Sequence, residues 1–141
     1  MAYTTVRNAV QIGKSGEFLV CSVLELLGHQ TAICNGQGFD LLMFEADGGG
    51  ETYRVEVKSA RTKSNRRYKF MTSSGSGDKR LLSSDDCDIV ALVALDEKMI
   101  VFRDVVQIKH KRTTVSIDEF DQPEAGQLRK AISSVKARRN S

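Results

Sequence analysis

Apolar residues recur at helical spacing over residues 14–27. Phe18, Cys21 and Leu24 share one side, while Leu19, Val20, Val23, Leu26 and Leu27 leave little of the remainder polar, so a helix covered on most sides is predicted. Gly28 supplies its stop, because glycine accepts the left-handed conformation common just past a helix end. Two short extended runs follow, residues 31–34 and 39–45, separated by the turn-prone Asn35, Gly36, Gln37 and Gly38. The run FDLLMF is apolar on both faces, which predicts a central strand. The string DGGG at residues 47–50 reads as a hairpin turn into a third strand, where Tyr53, Val55 and Val57 alternate with Thr52, Arg54, Glu56 and Lys58.

Residues 60–67 and 72–80 lose periodicity and read as loops around a possible strand at 68–71. The segments CDIVALVALD and MIVFRDVVQI predict two further strands, the first buried on both faces. Asp121 and Glu124 have capping-box spacing around Pro123, ahead of a helical pattern of Leu128, Ile132 and Val135. The final residues, KARRNS, are expected to fray as a basic C-terminal tail. The fold class expected is α/β, a mixed central β-sheet flanked by α-helices. A length of 141 residues suits one domain over 1–141, with a mobile basic loop at about 60–80.

No apolar run is long enough to cross a bilayer, and the opening MAYTTVRNAVQ lacks a secretory signal, so a cytoplasmic protein with no membrane partner is expected. Cys21, Cys34 and Cys87 show no metal-ligand spacing and are expected to be reduced, mostly buried thiols. The net charge of +3 is too small to identify a partner, but its distribution is uneven. Between Arg54 and Arg80 the bases include Arg61, Lys63, Arg66, Arg67, Lys69, Lys79 and Arg80, opposed only by Glu56 and Asp78. Such segregation suits a phosphate backbone, and equally a solvated basic face.

Along the third strand Glu56 and Lys58 project together while Val55 and Val57 enter the core. Alone, the pair is most simply a surface ion pair. Asp40 opens an apolar strand, where its carboxylate needs a metal, a cation or a turn to compensate it. Glu17 sits in the predicted first turn of the first helix, where the helix N-terminus would explain it without function. Together, three carboxylates and a lysine on adjacent elements can converge at one end of the sheet. Such a cluster repels itself without a divalent cation, and its hard oxygens suit Mg2+, with Mn2+ as a substitute. Phosphodiester hydrolysis needs these parts.

In their order along the chain, GKSGEFLVCSVLELLGH, GFD and YRVEVKS resemble the PD-(D/E)XK nuclease superfamily, which includes restriction enzymes and archaeal Holliday junction resolvases. The later DIVALVAL and IVFRDV strands also fit small members of that group. The resemblance implies a restriction endonuclease-like fold, with Asp40, Glu56 and the main-chain carbonyl of Val57 as metal ligands. It also implies that Lys58 acts on the attacking water and that Glu17 completes the site, directly or through a coordinated water. Gly38 and Phe39 replace the proline that often precedes the aspartate. DNA, duplex or branched, is the implied substrate and a homodimer or homotetramer the implied assembly, since two strands must be cut.

Gly13, Lys14 and Ser15 resemble the end of a phosphate-binding loop, but Asn8 stands where its first glycine is needed. His29 and His110 are too few and badly placed for a histidine-metal nuclease. The serines of TSSGSG lack a nearby general base, so a loop that orders on DNA is the better reading. Tyr68 and Phe70 either stack on nucleic acid or pack in the core. Two rival functions are a nucleic-acid-binding module without catalysis and an α/β domain whose basic face meets a protein.

Overall fold

The computed structural model describes residues 9–34, 38–46, 48–75 and 79–141. The expected turn at Asn35, Gly36 and Gln37, the loop residues Ser76, Gly77 and Asp78, Asp47, and the opening residues 1–8 lie outside the described residues. Helix α1 (Ala9–Leu26) precedes strands β1 (Thr31–Ile33), β2 (Leu41–Phe44) and β3 (Thr52–Ala60). Then come β4 (Arg67–Met71), β5 (Ser73–Ser74), β6 (Arg80–Leu81), β7 (Ile89–Ala94) and β8 (Met99–Asp104). Strand β9 (Arg112–Ser116), a short helix α2 (Ile117–Phe120) and α3 (Glu124–Arg139) follow.

The main sheet has the order β1-β2-β3-β7-β8, and only the β3–β7 pair is parallel. This is the expected α/β fold with a mixed central sheet. The six residues of β7 are all buried, as a strand with both faces covered requires. One face carries both long helices: Val20 and Leu24 of α1 and Leu128, Ala131 and Val135 of α3 pack on Val55, Val57, Ala91 and Phe102. The opposite face is covered by the two-stranded β4–β9 ribbon and α2, through Tyr68, Phe70, Val115 and Phe120 against Val90, Leu92 and Val101. Cross-strand partners share a face, so Glu56 beside Val90 and Lys58 beside Leu92 belong to this second side.

Several expectations need correction. Helix α1 begins at Ala9, so Glu17 lies more than two turns inside it and the helix N-terminus cannot account for it. Only Gly16, Val20 and Leu24 of α1 are buried, and Phe18 is 58% exposed, so the helix is covered along one stripe. Setting aside a phosphate-binding loop at Gly13, Lys14 and Ser15 agrees with the structure, where these residues lie within regular turns of α1. The strand read at 68–71 is present as β4, entered by a tight turn with Asn65 and Arg66 at positive φ, whereas the stretch read as loop at 72–80 contributes the short strand β5 and the start of β6. The capping box does not form: Pro123 precedes α3, and the Glu124 carboxylate instead accepts the Ile100 N–H at 3.0 Å.

The C-terminal bases are structural rather than frayed. Arg138 donates to fully buried Asp104 at 2.7 Å, and Arg139 to Glu51 and the Thr52 carbonyl, both at 2.8 Å, with its guanidinium also 4.8 Å from the centre of the Tyr53 ring. Lys136 pairs with Glu45. These contacts extend α3 to Arg139 because they bind its last turn to the sheet. All three cysteines are free, but only Cys87 is fully buried. Among the described residues no helix is long and apolar enough to cross a membrane.

Candidate active site

Strands β2 and β3 form a hairpin whose last paired residues are Leu41 and Val55. Beyond that rung β2 leaves the ladder, and Asp40 takes over the pairing. Its N–H donates to the Val55 carbonyl at 3.0 Å, and its Oδ2 accepts the Val57 N–H at 2.7 Å. A strand residue presents its N–H and C=O to the same edge, so the Val57 carbonyl opens on the side of the Asp40 carboxylate.

Glu56 is 8% exposed, and its carboxyl hydrogen-bonds with that of Asp40. Burial, followed by the hydrogen bond and the charge of Asp40, pushes its pKa up to about 9, with Lys58 opposing the rise. Lys58, half-buried, donates its Nζ to the Ser73 carbonyl at 3.2 Å. Glu17 reaches the same place from α1. Partial burial and then the charge of Asp40 raise its pKa, which nearby Lys14 lowers.

Helix α1 can approach so closely because Gly16 faces β3. A Cβ there would stand 1.9 Å from Ser59 Oγ and 3.4 Å from Val57 Cγ1. The four acidic and basic residues singled out in the sequence, Glu17, Asp40, Glu56 and Lys58, all line one cleft of about 710 Å³. Lys14, Cys34, Phe39, Ser73 and Lys79 also contribute to its walls. No side-chain pattern could have marked Ser73, since its contribution is a main-chain carbonyl on β5, the strand paired with β6. Asp86 was missed as well: it grips Arg80 at 2.6 and 2.7 Å and the Ser83 N–H at 2.9 Å, bracing the hairpin beside Glu56.

Among the described residues no group of three or more His, Cys, Asp and Glu side chains closes on a single point. The nearest approach to a cation site is therefore the Asp40–Glu56 pair with the Val57 carbonyl. A buried carboxylate and a half-buried one side by side repel one another when both are ionised, and an all-oxygen donor set suits a hard divalent cation that retains waters.

The other expected nucleic-acid contacts divide into two groups. Lys63 pairs with Asp96 and Glu97, Arg66 with Asp118 and Arg80 with Asp86. Arg61, Arg67, Lys69 and Lys79 are exposed and, among the described residues, form no ion pair. Tyr68 and Phe70 are 1% and 2% exposed, so neither ring is available to stack on a base.

No family model matches the chain, and no curated protein matches its sequence. Its fold is similar to the solved structure of a bacterial homing endonuclease, I-Ssp6803I, with a TM-score of 0.70. The likeness covers 96% of this chain and 99% of that one at 12% sequence identity.

Proposed function

We propose that this protein is a magnesium-dependent DNA endonuclease of the PD-(D/E)XK type. The observation that carries this reading is the convergence of Asp40, Glu56 and Lys58 at the point where β2 and β3 separate, with Glu17 facing them from α1. Asp40, Glu56 and the Val57 carbonyl would hold the cation, and Glu17 would reach it through water. Magnesium, when bound, polarises the phosphate and lowers the pKa of a coordinated water.

Lys58 is held by the Ser73 carbonyl with ammonium protons left for substrate. It orients the attacking water and offsets the negative charge that builds on the phosphate oxygens. Lys79 and Lys14 at the cleft walls draw the DNA backbone in. The likeness to a homing endonuclease favours cutting at a particular duplex site over cutting a branched junction. Duplex cutting needs two such sites, which points to a homodimer or homotetramer.

The test is incubation of supercoiled plasmid, linear duplex libraries and a synthetic four-way junction with the protein in magnesium, manganese or EDTA. Cutting that requires the metal, strongest on duplexes carrying one sequence, is the expected result. DNA binding in EDTA with no cutting of any library member would leave a binding module instead.

A further inference from the structure

The β4–β9 ribbon has two unlike faces. Inward, Tyr68, Phe70 and Val115 are buried. The Tyr68 and Phe70 rings lie 5.1 and 6.5 Å from that of Phe120, and the Tyr68 hydroxyl donates to Asp96 at 2.6 Å. Outward, the antiparallel register sets Arg67 beside Ser116, Lys69 beside Thr114 and Met71 beside Arg112. All of these are exposed except Ser116, which is half-buried. The face contains no acidic residue, and Arg67, Lys69 and Arg112 form no ion pair among the described residues.

We propose that this outward face enters the major groove of duplex DNA and reads base edges beside the cut. The assignment rests on the endonuclease reading above and gives that enzyme its means of choosing a site. A major groove about 12 Å wide admits two strands about 4.8 Å apart with their side chains, whereas a minor groove of about 6 Å does not. Alternate residues of a strand advance about 6.7 Å, close to the rise of two base pairs at about 3.4 Å each. Arg67, Lys69 and Met71 therefore keep step with every second pair along the groove. Arg and Lys reach guanine O6 and N7, and Thr114 and Met71 offer apolar contact to a thymine methyl. Because the rings behind the ribbon fix its backbone, little ordering is left to be done on binding.

The ribbon is also joined to the cleft. Fully buried Thr72 donates its N–H to the Lys111 carbonyl at 2.8 Å and its hydroxyl to the His110 carbonyl at 2.6 Å. The next residue, Ser73, receives Lys58. The Met71–Arg112 end thus abuts the reacting groups. Lys69 and Arg67 lie roughly 13 and 20 Å along the chain from Ser73, on the order of four and six base pairs.

The experiment selects bound duplexes from a random library with the Lys58→Ala protein, then repeats the selection with Lys69→Ala and Arg112→Ala added to it. Wild-type protein cuts the same library in magnesium so that the site can be placed relative to the cut. Lys69→Gln, which keeps the stem, replaces any alanine variant that thermal melting shows to be unfolded. The expected result is a preferred sequence whose affinity falls tenfold or more in the ribbon variants, with base preference relaxed at positions about two (Arg112) to four (Lys69) pairs from the cut. An equal loss on all duplexes with a shallower salt dependence would mean phosphate contact alone and overturn the assignment. Unchanged preference in the variants, with wild type still cutting, overturns the ribbon and leaves the nuclease standing. Absence of both cutting and duplex binding by wild type overturns both.

Discussion

The Asp40 carboxylate accepts the Val57 main-chain N–H at 2.7 Å, so one side chain both closes the end of the β2–β3 ladder and belongs to the acidic cleft. This separates two variants that sequence alone would treat alike. Asp40→Asn keeps an acceptor for the Val57 N–H and should melt near the wild-type temperature while losing cleavage. Asp40→Ala leaves that N–H unpaired, at a cost of about 1–3 kcal/mol, and should lose stability as well as cleavage. Chemical denaturation of the two proteins side by side gives the comparison, and equal destabilisation by both would remove Asp40 from its structural role.

Glu56 is buried against Asp40, so the metal-free protein carries a site that works against folding. Replacing it as Glu56→Gln should raise the melting temperature in EDTA, by about 1 kcal/mol of stability or more, and abolish cutting. Magnesium should raise the melting temperature of wild type by mass action and leave that of Glu56→Gln much less changed. A magnesium shift of the same size in both would show that the cation binds elsewhere.

Gly16 is where α1 touches β3, with Ser59 Oγ 1.9 Å from the position a Cβ would take. Gly16→Ala should therefore cost about 1–3 kcal/mol by overpacking, and lower activity by moving Glu17 with its helix. Ser59 Oγ is buried and, among the described residues, has no hydrogen-bond partner. Ser59→Ala should be close to neutral alone and should recover much of the loss when combined with Gly16→Ala. Urea midpoints for the four proteins of this cycle decide the matter, and strict additivity would contradict the contact.

Acid should unfold the protein partly through Asp86 and Asp88. The hydrogen bond from Arg80 holds the Asp86 carboxyl below its ordinary value. Burial raises Asp88, but the hydrogen bonds of Arg54 and the charges of Arg54 and Arg139 outweigh it, leaving that carboxyl low too. A carboxyl that titrates lower when folded stabilises fully above its unfolded pKa of about 3.8 and loses that contribution as pH falls through the folded value. Unfolding free energy should thus drop below about pH 4, and less steeply in Arg80→Ala, which starts from a lower plateau. An Arg80→Ala profile parallel to wild type would show that the pair carries no such linkage.

The sheet's strands and the four cleft residues were legible in the sequence because apolar runs and turn glycines mark β2, β3 and β7 strongly. Strand β9 was not, since KRTTVS offers one buried residue, Val115, among bases and threonines that read as a basic patch. The first turn and more of α1, ahead of Lys14, was hidden by Gln11 and Gly13, which interrupt the apolar period although they continue the helix. The fate of each base was equally illegible. Whether an arginine faces solvent or grips a carboxylate depends on residues far along the chain, as Arg139 with Glu51 and Arg54 with Asp88 demonstrate.

Single-turnover cleavage of a duplex pool in magnesium by wild type and by Lys58→Ala tests the active-site assignment most directly. Lys58 is half-buried and makes one hydrogen bond, to a main-chain carbonyl lining the cleft, so the variant should fold and bind DNA normally while its rate falls by about 100-fold or more. A Lys58→Ala protein that cuts at the wild-type rate, or magnesium-independent cutting by wild type, would contradict the assignment.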